Sequence, residues 1–152
     1  MAADIQTARL RLHQQTLDEM AADMEAGDEL ASDFWHTYRY QQAHEMGYPL
    51  DWLRLWQFCR LTDGVVVGGA CFKGKPDENG RVEIGYGIAP EHQRLGYATE
   101  AIAALVCWAK QQCGVRAVTA EIDEGNLASQ RVAEHAGLTR QAGLTNWWIV
   151  QA

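Results

Sequence analysis

The sequence has no pair of cysteines at Cys-x-x-Cys spacing: Cys59, Cys71, Cys107 and Cys113 are scattered, each in or beside an apolar segment. That pattern fits reduced structural thiols rather than a redox motif. The five histidines, His13, His36, His44, His92 and His135, are equally dispersed and join no cluster with metal-ligand spacing, so no metal is expected. A Gly-x-Ser-x-Gly elbow is missing, which leaves a Ser-His-Asp hydrolase unsupported. Apolar runs fall short of the roughly 20 residues that span a membrane. The opening Met1-Ala2-Ala3-Asp4 has no basic region followed by an apolar core, so the expectation is a soluble, cytoplasmic protein without a membrane partner. Basic residues are outnumbered 13 to 20, and a formal charge of −7 is the wrong sign for binding nucleic acid through its phosphates. An acidic surface is better suited to a cationic amine.

What is present is a chain of 152 residues with 47% hydrophobic content and six Trp, enough for one domain spanning 1–152. A chain of that size buries about 70% of the surface its unfolded form exposes. Leu10 and Leu12 alternate with Arg9, Arg11 and His13 as a short strand. Helical spacing takes over from Thr16 to about Met46, broken at Gly27, and predicts two helices with Thr16 and Asp28 as N-caps. Asp51 to Leu61 and Val65 to Phe72 read as two strands joined by an Asp63-Gly64 hairpin turn. Lys75 to Gly80 is a second turn, expected to be solvated and mobile, and Arg81 to Ile88 is the next strand. On that strand Glu83, Gly85 and Gly87 share one face, and the two glycines leave it without bulk. A long helix follows from Ala98, with Lys110 in its last turn and Gly114 beyond. Val115 to Ile122 is a strand, Asn126 to Ala136 a helix, and Leu138 to Val150 a final hairpin turning near Gly143.

Between the glycine-bearing strand and the long helix lies Gln93-Arg94-Leu95-Gly96-Tyr97-Ala98. Small residues at two close positions let the backbone approach a ligand, and the free N–H groups of the helix's first turn suit an anion such as a pyrophosphate. The spacing of Gln93, Gly96 and Ala98 resembles the (Gln/Arg)-x-x-Gly-x-(Gly/Ala) segment of the GNAT superfamily of acyl-CoA-dependent N-acyltransferases. Downstream, Asn126 to Leu138 resembles that family's second segment, an Asn-x-x-Ser/Ala, a helix, then Gly and an apolar residue. Thr7 to Leu12 is similar to the opening strand of the branch that acetylates ribosomal-protein N-termini.

The resemblance implies an α+β fold: a central, mostly antiparallel mixed sheet of six to seven strands flanked by about four helices. It implies acetyl-CoA as cosubstrate, its pyrophosphate held by Gln93, Arg94 and the amides of Leu95, Gly96, Tyr97 and Ala98. The pantetheine arm would enter where two strands splay, beside Gly87 and Ile88 and opposite Thr119 to Ile122. An alternative reading has Gly85 and Gly87 merely relieving crowding against an aromatic.

Acetyl transfer needs a neutral amine, a polarised thioester and a proton for the leaving thiolate. Glu83 is the expected base, with Glu121 in reserve, and a cross-strand ion pair with Arg81 or another cation is its structural alternative. Asn126 would hold the cofactor arm, cap the helix, or both. Where many family members carry a Tyr, seven residues after the Asn, this chain has Ala133. Ser129 could then hydrogen-bond the coenzyme sulfur. The acceptor pocket is expected among Asp28, Glu29, Asp33, Phe34, Trp35, His36, Tyr38, Tyr40, Tyr48, Trp52, Trp147 and Trp148, where aromatics and carboxylates suit a cationic amine, though such aromatics also serve as core. A protein N-terminus and a small amine both fit. A noncatalytic acyl-CoA sensor is the competing function, and a homodimer through the terminal strands is open to the chain.

Overall fold

The computed structural model describes residues 4–26, 45, 52 and 54–152. The described strands are β1 (Asp4–Gln6), β2 (Leu10–Gln14), β3 (Trp56–Arg60), β4 (Val66–Phe72), β5 (Arg81–Ile88), β6 (Ala117–Glu121), β7 (Thr139–Arg140) and β8 (Trp147–Gln151). The described helices are α1 (Leu17–Ala26), α2 (Tyr97–Lys110) and α3 (Leu127–His135), with one 3₁₀ turn at Pro90–His92. One eight-stranded sheet runs in the order β1-β2-β3-β4-β5-β6-β8-β7. Every pairing is antiparallel except β5 with β6.

Eight strands correct the expected six to seven. The strand not anticipated is β1, whose three residues are too short a run to carry a pattern and become a strand by pairing Ile5 with Leu12. The strand expected from Asp51 starts at Trp56, after a bend at Arg54. Of the two helices expected between Thr16 and Met46, the first is α1; the second, with its proposed cap Asp28, lies outside the described residues. Thr16 does cap α1. Its Oγ1 accepts from the Glu19 N–H at 3.1 Å while Glu19 Oε1 accepts from the Thr16 N–H at 3.4 Å, a reciprocal capping box.

One face of the sheet carries the core. Leu10, Leu12, Phe58, Trp56, Phe72, Val82, Ile84 and Val118 are buried, and Ala101, Ile102, Leu105 and Ala109 of α2 lie against them. At the C-terminal end of α2, Trp108 meets Trp52, Trp56 and Phe72 at ring-centroid distances of 5.4, 5.0 and 5.7 Å, and Trp52 meets Phe72 edge-on at 5.2 Å. Trp52 is therefore core. The Asp63-Gly64 turn forms as expected, with Gly64 at φ 72° and Arg60 making a two-bond pair with Asp63. That pair, with the Val65 N–H, holds the Asp63 carboxyl at a pKa of about 2. The turn at Lys75 to Gly80 is tied down: Asp77 accepts from the Asn79 and Arg81 N–H groups, and the Gly80 carbonyl accepts from the Arg116 and Ala117 N–H groups at the start of β6.

Two glycines in β4 prove structural. A Cβ on Gly68 would stand 2.3 Å from the Gly87 carbonyl oxygen, and one on Gly69 would stand 2.9 Å from the Trp56 carbonyl oxygen. β4 is thereby pressed onto its neighbours beside a register shift at Phe58/Cys59. Gly68→Ala is expected to destabilise the fold by about 1–3 kcal/mol, the range for overpacking, whereas Gly87→Ala, with nothing within 4 Å of the new methyl, should leave stability unchanged. Urea denaturation of both variants checks this.

At the far edge, His13 Nδ1 lies 2.6 Å from Asp4 Oδ1 and its Nε2 lies 2.8 Å from Glu19 Oε2. Burial alone would lower the His13 pKa, but the two carboxylates outweigh it and raise it above 6.5. Burial likewise works to raise Asp4 and Glu19, and their bonds to His13 outweigh it, leaving both lowered. A raised histidine adds stability that is whole below its unfolded value and is lost as pH rises through the folded one; the lowered carboxylates lose theirs as pH falls. The melting-temperature gap between wild type and His13→Asn should therefore be widest between the carboxylate and histidine ranges and narrow above 6.5 and at acid extremes, as scanning calorimetry across pH would show.

Candidate active site

β5 and β6 part company. They pair in parallel over only three positions, Arg81 with Ala117, Val82 with Val118 and Glu83 with Thr119. Beyond Glu83, β5 stays with β4 as far as Ile88 opposite Gly68, while Ala120 and Glu121 of β6 pair with Trp148 and Trp147 of β8. A wedge opens between them, and in it lies a cleft of about 390 Å³ lined by segments Ile84 to Tyr86 and Ala120 to Asp123, with Lys73, Asn126 and Ser129.

The backbone of β5 supplies polar groups to this wedge. Glu83 accepts from the Lys73 N–H at 2.9 Å and Ala89 donates to the Val67 carbonyl at 2.9 Å, so these positions face β4. Alternation along an antiparallel pair then turns the main-chain groups of Ile84, Tyr86 and Ile88 toward the cleft and those of Gly87 toward β4. The Ile88 carbonyl accepts from the Gln93 side-chain amide at 3.0 Å. Gly87 contributes a bare face instead. The alternative that Gly85 and Gly87 relieve crowding by an aromatic fails: a Cβ at Gly87 would meet nothing, and one at Gly85 would meet only the Lys73 stem at 3.4 Å.

At the open end of the wedge, residues 93–98 form the entry to α2. Arg94 and Gly96 have φ of 64° and 82°, and Gly96 caps the helix in the left-handed region with no side-chain cap bond. The N–H groups of the first turn thus point outward without intrahelical partners, a place for an anion. Gln93, Arg94, Leu95 and Gly96 are exposed, Tyr97 is buried and Ala98 half-buried. Sequence reasoning missed what braces this loop. Arg9 Nη1 donates to the Leu95 carbonyl at 2.8 Å, its Nε pairs with Glu100 Oε1 at 2.8 Å, and its guanidinium lies 4.6 Å from the centre of the Tyr97 ring. Thr7 Oγ1 and the Arg9 N–H both donate to Glu100 Oε2. Burial pushes the Glu100 carboxyl up, yet the bonds from Thr7 and Arg9 prevail and hold it below its ordinary value. The strand-like alternation of Arg9 gave no hint of this role, because its partners lie some 90 residues away in the chain.

Glu83 stands at the closed end of the wedge, the last residue of β5 to pair with β6. Its Oε2 is buried and lies 2.6 Å from Nζ of Lys73, which lines the cleft. The two meet as a close ion pair at the edge of the cleft. The cation is Lys73, across the strand, rather than the neighbouring Arg81. Glu121 lines the cleft from β6 and is exposed.

Asn126 and Ser129 come together on the wall formed by α3. Asn126 Oδ1 accepts from the Ser129 N–H at 3.1 Å, so Asn126 caps α3, and both residues border the cleft. The buried Gln130 fixes the turn before them by donating to the carbonyls of Asp123 and Glu124 at 3.2 and 2.9 Å. Tyr86, which sequence reasoning treated only as a strand residue, lines the cleft and donates its hydroxyl to the Ser129 carbonyl at 3.3 Å. Burial raises its pKa above 10, with the Ser129 bond opposing in part. Ala133 is buried against the core, so that position carries no proton donor. Of the expected acceptor residues, Trp52 and Trp148 are buried and Trp147 half-buried; Asp28, Glu29, Asp33, Phe34, Trp35, His36, Tyr38, Tyr40 and Tyr48 lie outside the described residues.

The site is thus a mixed sheet that parts between two parallel strands, with a glycine-capped helix start at its mouth and a carboxylate at its root. The chain belongs to the GNAT acetyltransferase family, whose domain model matches residues 3–139. It is 36% identical over 96 residues to the uncharacterized N-acetyltransferase YjdG of Bacillus subtilis, a match covering 62% of this chain and 57% of that protein. It is 29% identical over 92 residues to YoaA of the same organism, covering 60% of this chain and 52% of YoaA. These matches span little more than half of the relatives' length. Similar solved folds include the ribosomal-protein acetyltransferase RimL in complex with coenzyme A, at 17% identity and TM-score 0.68 over 98% of both chains. The spermidine/spermine N-acetyltransferase SpeG from Vibrio cholerae aligns at 12% identity and TM-score 0.68 over 95% of this chain and 94% of its own. Among the described residues no group of His, Cys, Asp and Glu could hold a metal, and no helix is long and apolar enough to cross a membrane.

The brace on the entry loop can be tested directly. Arg9→Ala should weaken acetyl-CoA binding by about fivefold, corresponding to about 1 kcal/mol for a lost hydrogen-bonded brace, with calorimetric titration as the measurement.

Proposed function

We propose that the protein is a single-domain N-acetyltransferase that moves the acetyl group of acetyl-CoA to a primary amine by direct attack in a ternary complex. The observation that carries this reading is the wedge between β5 and β6, with free amides at its mouth and Glu83 at its root. The amides of Leu95, Gly96, Tyr97 and Ala98, with Gln93 and Arg94, hold the pyrophosphate, and Ile88, Gly87 and Asn126 border the path of the pantetheine arm. Glu83 takes a proton from the acceptor ammonium. The amine attacks the thioester carbonyl, the C–S bond breaks, and Ser129 meets the coenzyme sulfur at the head of α3, with the Tyr86 hydroxyl close by.

The acceptor is a cationic amine, either a protein N-terminus or a small molecule. Support comes from the chain itself, because the cleft already seats an ammonium, that of Lys73, against Glu83. The acidic balance of the sequence, −7 overall, favours the approach of such a substrate. The protein acts in the cytoplasm.

Acetyl-CoA titration followed by thiol-release assays on panels of amines and N-terminal peptides tests the reading. Glu83→Gln should retain binding and lose about 10²–10⁴-fold in kcat, the usual contribution of a general base. Binding without turnover on any amine, and no effect of Glu83→Gln, would instead assign a noncatalytic acyl-CoA sensor.

A further inference from the structure

We propose that Lys73 is an acceptor in its own right, acetylated in cis by the cleft it lines. The inference rests on the acyltransferase reading above and adds a modification site to it. Three observations converge on Lys73. Its Nζ lies 2.6 Å from Oε2 of Glu83, the position an acceptor ammonium must occupy for that carboxylate to deprotonate it. Its stem runs across the bare face of Gly85, 3.4 Å from where a Cβ would stand, so the missing side chain makes room for this lysine. The same side chain lines the cleft that also contains Asn126 and Ser129, the wall against which the coenzyme sulfur is placed.

The backbone at Lys73 is fixed by its N–H bond to the Glu83 carbonyl at 2.9 Å, so the ammonium is tethered at the cleft by a rooted stem. A tethered nucleophile reaches an effective concentration far above that of a free amine. The step balances without a further reactant. Glu83 takes one proton from the Lys73 ammonium and passes it to solvent, and the freed lone pair forms the N–C bond to the acetyl carbonyl carbon. The C–S bond breaks with its electron pair going to sulfur, a second proton moves from nitrogen to that sulfur, and the third stays on the new amide. The product lysine is neutral, so the cation facing Glu83 is removed and the carboxylate is left for an external amine.

The chain offers internal controls, since its only other lysines, Lys75 and Lys110, are exposed as Lys73 is but do not line the cleft. The test is to incubate the purified protein with acetyl-CoA and no acceptor and to map acetyl groups by peptide mass spectrometry. In parallel, turnover on the amine panel is followed with wild type, Glu83→Gln and Lys73→Arg. The expected result is acetylation of Lys73 well ahead of Lys75 and Lys110, at a rate per molecule that does not change with protein concentration, and about 100-fold slower or more in Glu83→Gln. A mixture of active wild type with tagged Glu83→Gln should leave the tagged copy unmodified. Lys73→Arg should fold, as its melting temperature will show, and lose the modification, with Lys75 and Lys110 acetylated no faster than in wild type. Uniform acetylation of all three lysines, indifference to Glu83→Gln, or modification of the tagged copy would overturn the proposal. Turnover on external amines with Lys73 unmodified would overturn it while leaving the acyltransferase reading intact; loss of both activities would overturn the two together.

Discussion

The separation of β5 from β6 is the constraint on which the rest of the molecule turns. Parallel strands buried in a sheet ordinarily satisfy their backbone groups against one another. Here the pairing stops after Glu83 and Thr119, while on its other edge β6 stays paired with β8 along its whole length, from Ala117 with Gln151 to Glu121 with Trp147. Main-chain groups of Ile84 and Tyr86 are then left on the wall of a cleft, where a ligand with amide groups of its own can complete them. Other features follow from this parting: α3 starts across it, Tyr86 reaches over it to Ser129, and the loop into α2 stands at its mouth.

Holding a sheet open costs stability, and the structure offsets it from outside the cleft. The aromatic cluster of Trp52, Trp56, Phe72 and Trp108 fastens α2 to β3 and β4, so the helix whose first turn faces the ligand is anchored at its far end. Arg9 and Glu100 fasten the near end, linking β2, the loop and α2 in one group of charges and hydrogen bonds. Gly68 and Gly69 let β4 lie close against β3 and β5, which stiffens the β5 side of the wedge. Precision at the mouth and root of the cleft is therefore a property of contacts made elsewhere.

The residues at the root show how one geometry serves both structure and chemistry. Glu83 is buried enough to require a partner and finds Lys73, which is the ion pair that an ordinary cross-strand glutamate would form. Because this pair lies against the cleft, the same carboxylate, with two oxygens to accept through, stands where an incoming ammonium can reach it. Asn126 combines roles similarly, capping α3 through its side-chain oxygen while bordering the cleft.

What the sequence by itself determined is local. Alternation placed β5 at Arg81 to Ile88, helical spacing and Lys110 placed α2, and the Gln93 to Ala98 and Asn126 to Leu138 segments carried the family, because strand periodicity, helix ends and glycine turns depend on neighbours within a few residues. Tertiary structure alone decided the rest. β1 is a strand only because β2 is beside it; Gly68 and Gly69 are required only because Gly87 and Trp56 press on them. Arg9 braces a loop far along the chain, and the partner of Glu83 is Lys73, ten residues back across a hairpin rather than the nearer Arg81. Such pairings are set by register and packing between distant segments, and no periodicity within a single segment encodes them.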